Sequence, residues 1–176
     1  MSNGNHALTC SKIKSRHSRH RQANDIIKHA LVSVDYPSCL EPNALCVSTA
    51  KRPDGITLLP YIRGKPLVWD FTCSHRLAAT YASVAIQEDT KVAELAEARK
   101  YRTYDELSRN YIVQPVAIET PGGVGPDSLS FVSELGKRIT GVSGSPLETS
   151  YLRQRLGIAV QRGNAACILE NLSTDF

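Results

Sequence analysis

The chain has 176 residues, a formal net charge of +4 and a hydrophobic fraction of 41%. This length suits a single domain with a proper core, and no apolar run approaches the roughly 20 residues of a membrane span. The N-terminus also lacks the apolar core of a secretory signal, so we expect neither membrane contact nor export. Five scattered cysteines favour reduced thiols inside a cell over a disulfide framework.

Basic residues and histidines are concentrated near the N-terminus. Residues 1–30 hold six lysines and arginines against one acid, and four of the five histidines. A basic arm over residues 1–21 suits contacts with nucleic acid phosphates, for which Arg16, Arg19 and Arg21 are the candidates. The alternative is a solvated tail that binds nothing in particular.

The same arm contains enough ligands for a zinc ion. The candidates are His6, Cys10, His17 and His20. Their spacing does not match the tight pairs of a zinc finger, so the pattern favours an arm without bound zinc. Histidines beside arginines are equally suited to touching phosphate.

The first predicted helix covers residues 22–34, because apolar residues recur on one face at helical spacing. Asn24 and Asp25 are predicted to cap its start. A proline-bracketed turn over residues 37–42 then leads to a short predicted strand over residues 44–48.

A β-hairpin is predicted next, with strands over residues 55–59 and 67–73. Asp70 interrupts the apolar run of the second strand, where a carboxylate costs several kcal/mol unless it is paired, hydrogen-bonded or bound to a cation. Asp54 precedes the first strand, so the hairpin brings both acids to one end of the sheet. Two converging carboxylates favour a hard cation such as Mg²⁺. The structural alternative is a turn at Asp54 and an arginine partner for Asp70.

Beyond the hairpin, the sequence predicts a helix over residues 89–107, a strand over 111–120 and helices over 128–140 and 149–162. Pro115 places the strand at a sheet edge or a bulge. Gly163 and Asn164 are predicted to end the last helix. Further candidates for DNA contacts are Arg52, Arg153 and Arg155.

The hairpin also carries a family likeness. Arg52-Pro53-Asp54, followed after fifteen residues by Asp70, resembles the signature of the restriction-like endonuclease domain of site-specific non-LTR retrotransposons, within the PD-(D/E)XK nuclease superfamily. The likeness extends through five ordered blocks that lie within residues 10–166: RHSRHRQANDIIKHAL, KRPDGITLLPYIRGKPLVWDFTC, ARKYRTYDEL, PVAIET and QRGNAA.

The resemblance implies an α/β restriction-endonuclease-like core over residues 22–176, with a mixed sheet and flanking helices. It implies a DNA endonuclease that uses Mg²⁺ or Mn²⁺, held by Asp54, Asp70 and the backbone carbonyl of Phe71. Such an enzyme works in the nucleus and nicks target DNA for target-primed reverse transcription. The polymerase that extends the nick is absent from this chain.

The sequence departs from the family pattern at Thr72, where the motif has a lysine. Lys91 and Lys100 flank the apolar stripe of the following helix on opposite sides, so only one of them leans readily toward the hairpin. The resemblance favours Lys100 as the replacement. It also makes Asp25 or Asn24 a candidate for assisting the cation from the first helix, although capping is the simpler role.

The zinc motif that precedes the nuclease in such elements looks halved here, because only His6 and Cys10 match its second pair of ligands. This loss, together with Thr72, supports an alternative function. The chain is then a catalytically inactive nucleic-acid-binding remnant, or a domesticated module.

Overall fold

A computed structural model describes residue 8 and residues 14–43, 45–46, 51–75 and 90–172. Over these ranges the chain is mixed α/β, with one four-stranded sheet and helices on both of its faces. The predicted mixed sheet with flanking helices is therefore confirmed. In chain order the elements are α1 (Lys14–Val32), β1 (Ser38–Leu40), β2 (Gly55–Thr57), β3 (Leu67–Ser74), α2 (Lys91–Thr103), a 3₁₀ turn (Asp105–Leu107), β4 (Ile112–Glu119), α3 (Pro126–Ser143) and α4 (Glu148–Leu172).

The strands lie in the order β1-β2-β3-β4. β2 is antiparallel to both β1 and β3, whereas β3 and β4 are parallel. The predicted hairpin is therefore present, and β4 forms one edge of the described sheet. Pro115 lies on this edge strand opposite Asp70, where its missing N–H interrupts no ladder bond to β3.

The first strand lies earlier in the chain than the sequence indicated. Ser38 pairs with Thr57 and Leu40 pairs with Gly55, so the strand occupies the short stretch between Pro37 and Pro42. The two prolines bracket a strand rather than a turn. The strand predicted over residues 44–48 is not found in its described part, residues 45–46. The rest of that stretch lies outside the described residues.

Helix α1 begins at Lys14 and runs without a break past residue 21, where the sequence separated a basic arm from the domain. Asn24 and Asp25 are therefore in the middle of the helix, and the prediction that they cap it is wrong. The helix extends this far because its first half packs on α4. Arg19 is 2% exposed and donates a hydrogen bond from Nη1 to Oδ1 of Asn164.

Helix α4 continues through Gly163 and Asn164 to Leu172, so the predicted helix end is also wrong. The glycine serves the contact between helices, since a Cβ at this position would lie 2.4 Å from Cβ of Arg19. The Asn164 side chain donates from Nδ2 to the Thr120 carbonyl at 2.7 Å. Contacts with α1 and with the chain after β4 explain both residues.

The two faces of β3 have different surroundings. Trp69 and Phe71 belong to the main core, together with apolar residues of α1, α3 and α4. Val68 packs on the other face with Tyr104, which follows α2. Asp70 points to this second face, because successive side chains alternate along a strand. None of the described helices is both long enough and apolar enough to cross a membrane.

A buried carboxylate joins α2 to the start of α3. Glu97 is 2% exposed. It accepts hydrogen bonds from the Ser128 and Asp127 backbone N–H groups, at 2.8 and 3.3 Å, and from the Ser128 hydroxyl. A helix N-terminus leaves its first N–H groups without helical partners, and a carboxylate satisfies them well.

We predict that Glu97→Ala lowers the free energy of unfolding by about 2–3 kcal/mol, because it leaves buried donors at the start of α3 without an acceptor. Urea denaturation followed by circular dichroism measures the loss. The matched control is Glu94→Gln on the same helix, an exposed residue paired with Lys91, which should change stability by less than about 0.5 kcal/mol. Equal effects of the two substitutions would contradict this assignment.

Candidate active site

The end of the β2–β3 hairpin brings two carboxylates together. Gly55 pairs with Trp69 across the hairpin, and the backbone N–H of Asp54 donates to the Trp69 carbonyl at 3.0 Å. Asp54 and Asp70 therefore lie at the same end of the sheet, as the sequence predicted. Gly55 is required here by the Trp69 indole, which a Cβ at this position would approach to 2.1 Å.

Asp54 is held by two donors. The Phe71 backbone N–H donates to its Oδ2 at 2.6 Å, and Nε2 of His20 lies 3.1 Å from the same oxygen. These two contacts fix the carboxylate. The Asp54 side chain is 15% exposed, so part of it stays open to solvent.

Asp70 is almost completely buried, with a side-chain exposure of 7%. Nζ of Lys100 lies 2.6 Å from its Oδ1, and the Tyr104 hydroxyl donates to its Oδ2. Burial raises the pKa of the Asp70 carboxyl, the charge of Asp54 raises it further, and Lys100 opposes both effects. Burial and Asp70 raise the pKa of Tyr104 well above its usual range, which keeps its hydroxyl protonated as a donor.

Of the two lysines that compete for the hairpin, Lys100 reaches it. Lys91 instead contacts Glu94 on its own helix, at 2.9 Å. The buried Asp70 thus has a basic partner, as its structural interpretation requires, although the partner is a lysine and not an arginine. The family motif has its lysine two residues beyond Asp70 on β3, where this chain has Thr72. The lysine that reaches the site comes from α2 instead.

His20 belongs to this site, although the sequence grouped it with zinc ligands. The Trp69 indole N–H donates to Oδ1 of Asn24 at 3.1 Å, which turns the Asn24 amide nitrogen toward Nδ1 of His20 at 3.2 Å. The indole nitrogen can only donate, so the Asn24 oxygen accepts from it and the Asn24 amide nitrogen is left to donate to His20. Nδ1 of the neutral imidazole is therefore the acceptor, and Nε2 carries the proton that faces Asp54. His20 and Asn24 are four residues apart, so they lie on one face of a helix that contains both. The sequence reveals this contact only if α1 is known to begin at Lys14, before His20.

Phe71 contributes backbone groups at the same place. Odd-numbered residues of β3 direct their peptide groups toward the β2 side, as the bonds of Trp69 and Phe71 to Asp54 show. β2 begins at Gly55, so the Phe71 carbonyl lies beyond its end. A hydrogen bond to the Phe71 backbone is one of the contacts that raise the pKa of His20.

The other residues proposed for the first helix and the arm are dispersed. Asn24 reaches the carboxylates only through His20, and Asp25 lines a separate cavity with Arg155 and Arg162. Arg19, proposed as a DNA contact, is buried against Asn164 in this structure.

The remaining candidates for DNA contacts lie at several places. Arg16 and Arg21 are exposed on α1. Arg52 pairs with Glu41, and Arg153 lines an apolar cavity between β4, α3 and α4. Arg153 and Arg155 line cavities that include neither of the two site carboxylates.

The donor set fits a magnesium ion better than a zinc ion. Within the described ranges, no group of three or more His, Cys, Asp and Glu side chains is arranged to hold a metal. His17 is exposed, His20 is committed to Asp54, and His6 and Cys10 lie outside the described residues. Two carboxylates with a backbone carbonyl suit Mg²⁺, which commonly takes one or two carboxylates and keeps several waters.

Comparison with known proteins adds no family to this geometry. No protein-family model matches the chain. A search among curated proteins likewise finds no match. The functional interpretation therefore rests on the site and on the sequence resemblance.

We predict that Asp54 raises the pKa of His20 above its ordinary value of 6.5, because Nε2–H donates to a carboxylate and burial only partly opposes this effect. An NMR titration of the imidazole in metal-free protein measures it. Asp54→Asn removes the negative charge and should move the His20 midpoint to lower pH, with the signal of exposed His17 as internal control. A His20 midpoint that is the same in both proteins would refute the contact.

Proposed function

We propose that this protein is a Mg²⁺- or Mn²⁺-dependent DNA endonuclease of the kind found in non-LTR retrotransposons, built on a restriction-endonuclease-like core. The observation that carries the proposal is the meeting of Asp54 and Asp70 at the hairpin end, with Lys100 brought to Asp70 from the next helix. In this proposal these three residues take the places of the charged groups of the family motif, in spite of Thr72.

Asp54, Asp70 and the Phe71 carbonyl are the groups that hold the cation in this proposal. When bound there, the ion lowers the pKa of an attacking water and neutralises charge on the phosphate. Burial raises the pKa of Asp70 and the charge of Asp54 raises it further, so a cation between the two acids would relieve their repulsion.

Lys100 supplies the positive charge that Thr72 lacks. Its ammonium group is fixed by Asp70 at 2.6 Å, and its side chain is 23% exposed, so it remains accessible from outside. An ammonium held in a fixed position beside a phosphate stabilises the negative charge that develops during hydrolysis without reorganising.

His20 orients Asp54. The chain of hydrogen bonds from Trp69 through Asn24 fixes the imidazole, and its Nε2–H fixes the carboxylate. Trp69 is fully buried, so the hydrogen bonds that hold the partly exposed Asp54 start from a side chain that is fixed in the core.

The biological setting follows from the resemblance. A nick in target DNA exposes a 3′-hydroxyl that primes reverse transcription in the nucleus, by a polymerase outside this chain. A nucleic-acid-binding remnant without activity is the second candidate, which Thr72 favours because the usual lysine is missing from the motif.

We predict that the purified protein nicks supercoiled plasmid with Mg²⁺ or Mn²⁺, and that EDTA abolishes nicking. Asp54→Asn, Asp70→Asn and Lys100→Met should each lower the nicking rate by about 100-fold or more, because each removes a group that holds the cation or balances phosphate charge. The matched control is Lys91→Met, a lysine on the same helix that contacts Glu94 instead.

Equal nicking by the wild type and all four variants would remove the catalytic claim. DNA binding without nicking by the wild type would support the inactive remnant. Thermal unfolding of each variant shows whether a loss of rate reflects a loss of fold.

A further inference from the structure

A polar cavity of about 260 Å³ includes His20 and Lys100, the residues that contact Asp54 and Asp70. It lies between α1 and α2 along β3, and its walls include Arg16, His20, Thr72, Cys73, Arg99 and Lys100. No acidic side chain is among its lining residues, whereas four arginines and lysines are, with Arg19 included. The cavity therefore suits an anion.

Part of the β3 backbone has no strand partner on its β2 side among the described residues. The Ser74 carbonyl accepts from Thr120 next to β4, so even-numbered residues direct their peptide groups to β4. Odd-numbered residues direct theirs to the opposite side, where β2 begins at Gly55, which pairs with Trp69. Among the described residues no strand follows β2 along this edge, so the Cys73 peptide group faces the side on which the cavity opens.

Arg99 provides charge that is not committed elsewhere in the described part of the chain. The Lys100 ammonium contacts Asp70, and the Arg19 guanidinium donates to Asn164. Arg99 is exposed on α2 and has no ion-pair partner among the described residues. A guanidinium binds phosphate through two parallel N–H donors, so Arg99 is a candidate anion ligand of the cavity.

We propose that this cavity binds the nucleic acid phosphate next to the one that is cleaved, through Arg99, the Thr72 hydroxyl and the Cys73 peptide N–H. The proposal rests on the proposed endonuclease function. Thr72 lies two residues beyond Asp70, about 6.6 Å along the strand, a spacing comparable with that of successive backbone phosphates. The assignment also gives Thr72 a role, as a hydroxyl donor to that phosphate.

The test measures binding of a fluorescein-labelled 20-base-pair DNA duplex by fluorescence anisotropy, in EDTA so that no cleavage occurs. Arg99→Gln should raise the Kd about tenfold. It should also lower the slope of log Kd against log salt concentration by about one, because one phosphate contact is lost. The matched control is Arg102→Gln, an exposed arginine on the same helix that lines a different cavity with Tyr104 and Val113. This control should stay within about twofold of the wild type.

A second variant separates the cavity from general charge. Thr72→Val keeps the net charge and the shape of the side chain but removes the hydroxyl, and it should raise the Kd about threefold with an unchanged salt slope. Equal Kd values for Arg99→Gln and Arg102→Gln would overturn the proposal, as would a Thr72→Val protein that binds like the wild type.

Nicking of supercoiled plasmid with Mg²⁺, measured in parallel, distinguishes the two failures. A wild type that nicks, with an Arg99→Gln variant that keeps both affinity and salt slope, refutes the phosphate cavity and leaves the endonuclease intact. A wild type that binds DNA through Arg99 but does not nick supports the cavity and refutes the endonuclease. A wild type that binds no DNA refutes both.

Discussion

The architecture depends on the burial of one carboxylate, that of Asp70, in the middle of β3. An unpaired charge in this position would cost several kcal/mol, so the fold requires a cationic partner on the face that Asp70 points to. Helix α2 supplies this partner in Lys100, 2.6 Å away, and the chain just after it adds the Tyr104 hydroxyl. The close fit of α2 against the sheet is possible because Ala93 and Ala96 present little bulk to β4.

The opposite side of the hairpin end is fixed in a related way. Trp69 is buried in the main core, and its indole N–H donates to the Asn24 side chain. Asn24 contacts the His20 imidazole, which in turn contacts Asp54. Two helices on different faces of the sheet therefore each hold one of the two acids. Asp70 lies within β3, and Asp54, the residue before β2, is held by His20 of α1 and by the β3 backbone, so regular elements position both acids.

The hairpin, the edge position of β4 and the mixed α/β class were predictable, because alternation, glycine and proline mark them locally. The start of α1 and the end of α4 were not, since Arg19 and Gly163 carry local signals for a solvated arm and for a helix terminus. A contact between distant parts of the chain overrides both signals. The choice of Lys100 over Lys91 likewise depended on how α2 docks, which helical periodicity alone leaves open.

The central claim is that the two acids of the hairpin end share one divalent cation. Its most direct test is a crystal structure of the wild-type protein in MnCl₂, with data collected for the anomalous signal of manganese. The account predicts an anomalous peak in contact with carboxylate oxygens of both Asp54 and Asp70. A peak that contacts neither acid, or a map without a peak although Mn²⁺ is present at millimolar concentration, would contradict it.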